Sequence, residues 1–167
     1  MKEADPPFAN PNGQSPITRR RRIESCLYIL AAFIALLGLS DSIYLTVQHL
    51  AGRDVDCIAF AACETVLTSS YAAIGKIPVA AFGALAYFGV FSLATLAAFG
   101  REWTRRLFIC LVGVMMGATC WLLYLQAFVL HAFCDFCLLS AALTTILAAI
   151  GLVIFFTGKN RPAVIHS

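Results

Sequence analysis

Cys134 and Cys137 close the run His131-Ala132-Phe133-Cys134-Asp135-Phe136-Cys137, at the junction of two long apolar stretches. Thiols at this spacing can open and close an internal disulfide. On the first turn of a helix both sulfurs share one face, and the partial positive charge of the helix N-terminus stabilises a thiolate, the species that performs disulfide exchange. A second pair, Cys57 and Cys63, lies earlier, in a polar loop. One dithiol is therefore in water and the other at a membrane edge, within reach of something dissolved in lipid. The arrangement reads as an electron relay.

Two other chemistries use four cysteines. C-x-x-C is a frequent half of a zinc site, but Cys57 and Cys63 have five residues between them, no nearby histidine completes a set, and a helix mouth restricts tetrahedral closure. Inert disulfide staples are the other alternative, since bridges persist on the oxidising side of a membrane. The chain has seven cysteines. The remaining three, Cys26, Cys110 and Cys120, fall inside apolar stretches and read as small packing residues.

The elements that must position these thiols are membrane helices. Of 167 residues 60% are hydrophobic and 13% charged, with a mean hydropathy of +0.84, outside the range of soluble domains. Crossing a hydrocarbon core takes roughly 20 helical residues, and four stretches qualify: about Ser25–Val47, Pro78–Phe99, Leu107–Leu130 and Asp135–Thr157. This predicts an all-α membrane protein, a four-helix bundle over residues 23–157, with a disordered tail at 1–22 and a short one at 158–167. The first apolar run is too long for a secretory signal and is expected to remain as an anchor.

Arg19 to Arg22, then Arg101, Arg105 and Arg106, then Lys159 and Arg161 flank the spans on one side. By the positive-inside rule that side, with both termini, is cytoplasmic. All four paired cysteines then fall on the other side. The net charge of +3 is accounted for by insertion and calls for no nucleic-acid partner. The connection from Val47 to Pro78 is long for so small a bundle. Its segment Val66-Leu67-Thr68-Ser69-Ser70-Tyr71 is expected to form either a short amphipathic helix lying over the bundle as a lid or an ordinary interfacial loop.

Several elements in a fixed order resemble the bacterial branch of the vitamin K epoxide reductase family. They are Gly38-Leu39-Ser40-Asp41-Ser42-Ile43-Tyr44-Leu45, Cys57, Cys63-Glu64-Thr65-Val66 with Ser69 and Tyr71, Gly75-Lys76-Ile77-Pro78-Val79-Ala80-Ala81-Phe82-Gly83, and Cys134-Asp135-Phe136-Cys137. The likeness runs from about Ile23 to Phe156. DsbB-type quinone reductases are similar in task but carry their C-x-x-C in the first periplasmic loop, the reverse of the order here.

The resemblance implies a thiol–quinone oxidoreductase of the bacterial inner membrane. Cys57 would exchange with a reduced periplasmic thioredoxin-like (DsbA-type) protein, Cys63 would carry the electrons to Cys134, and Cys137 would face a membrane quinone, ubiquinone or menaquinone. Ser69 matches a serine or threonine position near the family's active site; as read from the residues alone, its hydroxyl serves the site or the loop backbone. Many bacterial members carry a fused thioredoxin-like domain. Here the chain ends at Ser167, so the partner is expected to act in trans. The direction of electron flow follows from a quinone pool re-oxidised by respiration.

The animal enzymes of the family carry an asparagine near the start of span two and a tyrosine four residues after the last cysteine. This chain has Val79 and Ala141 there, which removes polar groups for an epoxide. Phe82, Phe136, Phe133 and Trp121 are candidates to line a quinone pocket, against packing or interfacial anchoring. Asp41 lies inside span one, where an ionisable group is a functional hypothesis by default. It would relay protons for quinone reduction or reach the interface. His49 and His131 read as surface polar residues, with His131 a candidate to keep Cys134 ionised. The runner-up activity is reduction of a quinone or its epoxide for its own sake. The rival of another class is a non-enzymatic membrane module holding a metal on the cysteines.

Overall fold

The computed structural model describes residues 16–52, 73–74, 77–99 and 102–159. Within them the chain forms helix α1 (Pro16–Leu50), two short strands β1 (Ala73–Ile74) and β2 (Ile77–Pro78), helices α2 (Val79–Ala98) and α3 (Glu102–Tyr124), a π-helical turn (Leu125–Val129) and helix α4 (Asp135–Lys159). The four helices contain apolar segments of 29, 20, 27 and 23 residues. At 1.5 Å per residue even the shortest spans about 30 Å. This is the expected four-helix multi-pass membrane protein.

The helix bounds differ from the sequence expectation at two places. Residues 16–22, expected in the disordered tail, belong to α1. A proline is tolerated in the first helical turn and arginine is a strong helix former, so nothing local stops the helix short of the charged run. The third span begins five residues earlier than expected and its last turn widens into the π turn. β1 and β2 pair antiparallel, Ala73 opposite Pro78 and Ile74 opposite Ile77. They lead the chain into α2, whose first residue follows Pro78 at φ −63° and ψ 141°. The lid expected at residues 66–71 lies outside the described residues.

α1 packs most extensively on α2, while α4 packs on both α1 and α3. The two halves of the bundle differ. In the half nearer the arginines, Tyr28, Ala31, Ala35, Val90, Ala94, Phe108, Val112, Leu147 and Ile154 form a closed apolar core. The Tyr28 and Phe108 rings meet edge to face, their centroids 5.8 Å apart. Small residues on α1 and α2 let those helices approach closely, the usual means of packing where lipid removes the hydrophobic drive between helices. In the other half the helices separate around a cavity.

Tyr87 sits between the two halves. Its hydroxyl, 2.9 Å from each partner, donates to the Ser140 carbonyl and meets the Ser140 and Thr144 hydroxyls. Across from it stands Gly38, where a Cβ would run into the Tyr87 ring. The glycine lets α1 close over the tyrosine.

Large apolar side chains face outward all round, among them Phe33, Leu85, Phe88, Trp103 and Val114, as a lipid solvent requires. Cys26, Cys110 and Cys120, expected to pack inside, are exposed on the outer faces of α1 and α3. A thiol is apolar enough for either environment, so span membership alone does not choose between core and lipid.

Candidate active site

The end of α3 and the start of α4 are built as one unit around Gln126. In the π turn the Leu130 N–H reaches back to the Leu125 carbonyl at 2.8 Å, five residues away. His131 then takes a left-handed conformation at φ 48°, uncommon for a residue with a Cβ. This turns the chain so that the Ala132 N–H meets the Gln126 carbonyl at 3.1 Å and the Cys134 N–H meets Gln126 Oε1 at 3.3 Å. Gln126 is only 3% exposed. π turns inside α-helices recur at functional sites because the extra residue re-aims a side chain, and here that side chain is the amide beneath the C-x-x-C.

Cys134 occupies the N-cap position of α4, its carbonyl accepting the Leu138 N–H at 2.9 Å. Its sulfur does what a serine or aspartate oxygen does at such a cap. The Cys137 thiol donates to it, and so do the backbone N–H groups of Cys137 and Phe136. These donors bring the Cys134 thiol down from about 9 to about 7, against burial and the Asp135 carboxylate, which both push it up. The helix-terminus argument from sequence is met here, with the donors now identified. His131 is exposed and its left-handed backbone shapes the turn.

The two sulfurs have different surroundings. Cys134 is fully buried among Leu130, Ala132, Phe136 and Cys137. Cys137, one turn further along, lines the cavity between the helices, which has a volume of about 360 Å³. Its wall is largely apolar, with Leu45, Phe82, Met115, Leu122 and Leu125, and polar groups such as Asp41, Ser42, His49, Gln126, Ser140 and Thr144 are interspersed. A mostly apolar cleft with a few convergent polar groups beside a thiol has the character of a site for a small apolar ligand, and a quinone is a ligand of that chemistry. Such a quinone, when bound, accepts two electrons and two protons.

The sequence candidates divide accordingly. Phe82 lines the cavity with Cys137. Phe136 does not; it packs on Tyr44 with ring centroids 5.3 Å apart, beside a shallow outer pocket that reaches Asp41 from the other side. Trp121 is exposed and stacked on Tyr124, and Phe133 is partly exposed. Asp41 and His49 both line the cavity. Asp41 is 9% exposed, and its Oδ2 has no hydrogen-bond partner among the described residues. Val79 and Ala141 line it too, so the two positions that distinguish this chain from the animal enzymes are wall positions. Cys57, Cys63 and Ser69 lie outside the described residues.

Sequence reading missed Gln126 and the Tyr87–Ser140–Thr144 cluster. A lone glutamine near the end of a span carried no periodic or motif signal. Tyr87 carried one, a polar-tipped ring inside a span, where burial demands a hydrogen-bond partner.

Fold and site together define a small helical membrane protein with a redox-capable dithiol opening into an apolar cavity. The family model described as "Vitamin K epoxide reductase family" matches residues 29–152, most of the chain and all four spans in large part. The chain belongs to the vitamin K epoxide reductase family. Its members are oxidoreductases, thiol-dependent reductases of quinones or quinone epoxides.

Proposed function

We propose that this chain is the bacterial disulfide-forming member of that family. It re-oxidises a periplasmic thioredoxin-like protein and passes the electrons to a membrane quinone. Cys57 receives the partner's thiolate, and the released Cys63 attacks Cys134 of the Cys134–Cys137 disulfide. The Cys134–Cys137 bond breaks, a Cys63–Cys134 bond forms, and the electron pair leaves on Cys137 as a thiolate. The partner's second thiol displaces Cys57 from the mixed disulfide and leaves with the partner oxidised; the Cys57 thiolate then closes on Cys63 and releases Cys134, and Cys134 and Cys137 close again as their electron pair passes to the quinone. In sum, a partner dithiol becomes a disulfide, and two electrons and two protons reach the quinone.

The observation that carries this reading is that Cys137, and not Cys134, lines the apolar cavity. The inner sulfur is placed to meet a lipid-soluble acceptor, while its partner is held as a capped, near-neutral thiolate for exchange. The apolar wall at Val79 and Ala141 weighs against an epoxide as substrate, because an epoxide oxygen needs a donor there. Phe82, Gln126 and Ser140 are the wall residues that would hold the quinone. In the bacterial inner membrane that this reading implies, the arginine distribution supports cytoplasmic termini and periplasmic cysteines.

The test is purified protein with a reduced thioredoxin-like protein and a short-chain quinone, following quinone absorbance. Thiol-dependent loss of the quinone signal is expected. No loss with either a ubiquinone or a menaquinone analogue would overturn the reading.

A further inference from the structure

Cys137 shares the cavity wall with two polar side chains, Asp41 and Gln126. Two like charges in so apolar a wall oppose each other, so an ionised carboxylate there disfavours a thiolate. An amide N–H favours one, and the Gln126 amide is near enough to interact with the sulfur. The amide's orientation is set by its other contact: Oε1 accepts the Cys134 N–H at 3.3 Å, which leaves the amide nitrogen to donate to Cys137. The π turn fixes the pair of contacts, since Gln126 also receives the Ala132 N–H on its own carbonyl at 3.1 Å. Among the described residues no lysine or arginine lines the cavity to offset Asp41.

We infer that Gln126 is a catalytic residue that receives the Cys137 thiolate: one end of its amide fixes the backbone of the C-x-x-C, and the other donates an N–H to the sulfur as the disulfide opens. The inference rests on the relay proposed above and adds a residue to it. When Cys63 attacks Cys134, the Cys134–Cys137 bond breaks and its electron pair goes to Cys137. That charge forms in a buried, largely apolar wall with a carboxylate nearby, where an unpaired anion is costly. A donor already in place lowers the energy of the leaving thiolate without reorganisation. Hydrogen bonds to charged groups are about twice as strong as neutral ones, so the contact tightens as charge develops.

The two ends of the amide can be separated by substitution. Gln126→Glu has the same shape and still accepts the Cys134 N–H; its carboxyl offers a proton to the sulfur while neutral, which burial favours, and none once ionised. Gln126→Leu loses both contacts. The readout is alkylation of Cys137 by iodoacetamide at pH 7 and at pH 9 in the full-length Cys134→Ser protein in detergent, quantified on the Cys137 peptide by mass spectrometry. This step needs neither quinone nor partner, so the inference can fail while the relay stands, and the relay can fail while this stands.

Gln126→Leu at both pH values, and Gln126→Glu at pH 9, are expected to slow Cys137 alkylation relative to the parent by roughly tenfold or more, the worth of a hydrogen bond to a charged group. Thermal unfolding of Gln126→Glu close to that of the parent would confirm that packing is intact. If Gln126→Leu slows alkylation and Gln126→Glu slows it at neither pH, the amide acts only through the Cys134 N–H and the donor role is overturned. If both match the parent rate, the inference is overturned entirely.

Discussion

Cys137→Ala tests why Cys134 is acidic. Its thiol stands at about 7 against an ordinary value of about 9, roughly a hundredfold in acidity in favour of the thiolate. The largest cause is the proton donated by the Cys137 thiol, with the Cys137 and Phe136 N–H groups contributing less. Alanine removes the first and leaves the backbone donors. Burial and Asp135 continue to push upward. The titration should therefore rise by about one pH unit or more, a roughly tenfold loss of thiolate at pH 7. The sign is fixed: the thiolate signal is present above the midpoint and disappears as pH falls through it.

The assay is ultraviolet thiolate absorbance against pH, with Cys57 and Cys63 replaced by alanine and a Cys134→Ala,Cys137→Ala protein subtracted to remove the three lipid-facing thiols. A Cys137→Ala protein still titrating near 7 would refute the reasoning and assign the acidity to the helix terminus alone.

Four further outcomes follow from the same geometry. Cys137→Ser should trap the Cys63–Cys134 bond, because a serine cannot close the C-x-x-C; peptide mass spectrometry of alkylated, unreduced protein reads the cross-link, and its absence removes Cys63 from the relay. In Cys63→Ala the Cys57 thiolate has no bridge of its own and attacks the disulfide of an oxidised partner, so a partner–Cys57 mixed disulfide is expected as a reductant-sensitive band, and its absence removes Cys57 as the point of entry. Asp41→Asn should lower kcat by about 100-fold with KM for the quinone unchanged if Asp41 relays the protons, and an unchanged kcat would exclude it. Tyr87→Phe, which leaves the Ser140 and Thr144 hydroxyls without the phenol oxygen, should destabilise the protein by about 1–3 kcal/mol, read from the thermal midpoint in detergent; no shift would mean that the two hydroxyls re-pair on their own helix.

The four spans were legible because a 20-residue apolar run has few alternatives to a membrane helix, and the C-x-x-C at a helix start because cysteine spacing is explicit in sequence. What the sequence left open was direction. Phe82 and Phe136 are alike as residues, yet α2 turns one into the cavity and α4 turns the other onto Tyr44. In a membrane helix the lipid face and the packed face are both apolar, so periodicity cannot say which way a ring points. The same ambiguity hid the outward position of Cys26, Cys110 and Cys120. Gln126 was hidden for another reason: its place depends on one extra residue per turn at Leu125–Val129, and no residue type there marks a π turn.

Two residues separate two sulfurs that the proposed relay uses differently, and the helix start is what divides them. A sulfur at the N-cap meets backbone N–H groups that no other position of the helix offers, and these add to the proton of the Cys137 thiol in lowering Cys134. The next sulfur on the same face is one turn inward, about 4.5 Å along the axis, and there the widened turn of α3 opens the wall to the cavity. Under the proposed relay the partner exchanges at Cys57, Cys63 carries the electrons to Cys134, and contact with the quinone is at Cys137. The quinone then never has to leave the apolar cavity, and the partner's thiols never have to enter it. A one-turn offset lets a single disulfide join a redox protein in water to an acceptor in lipid.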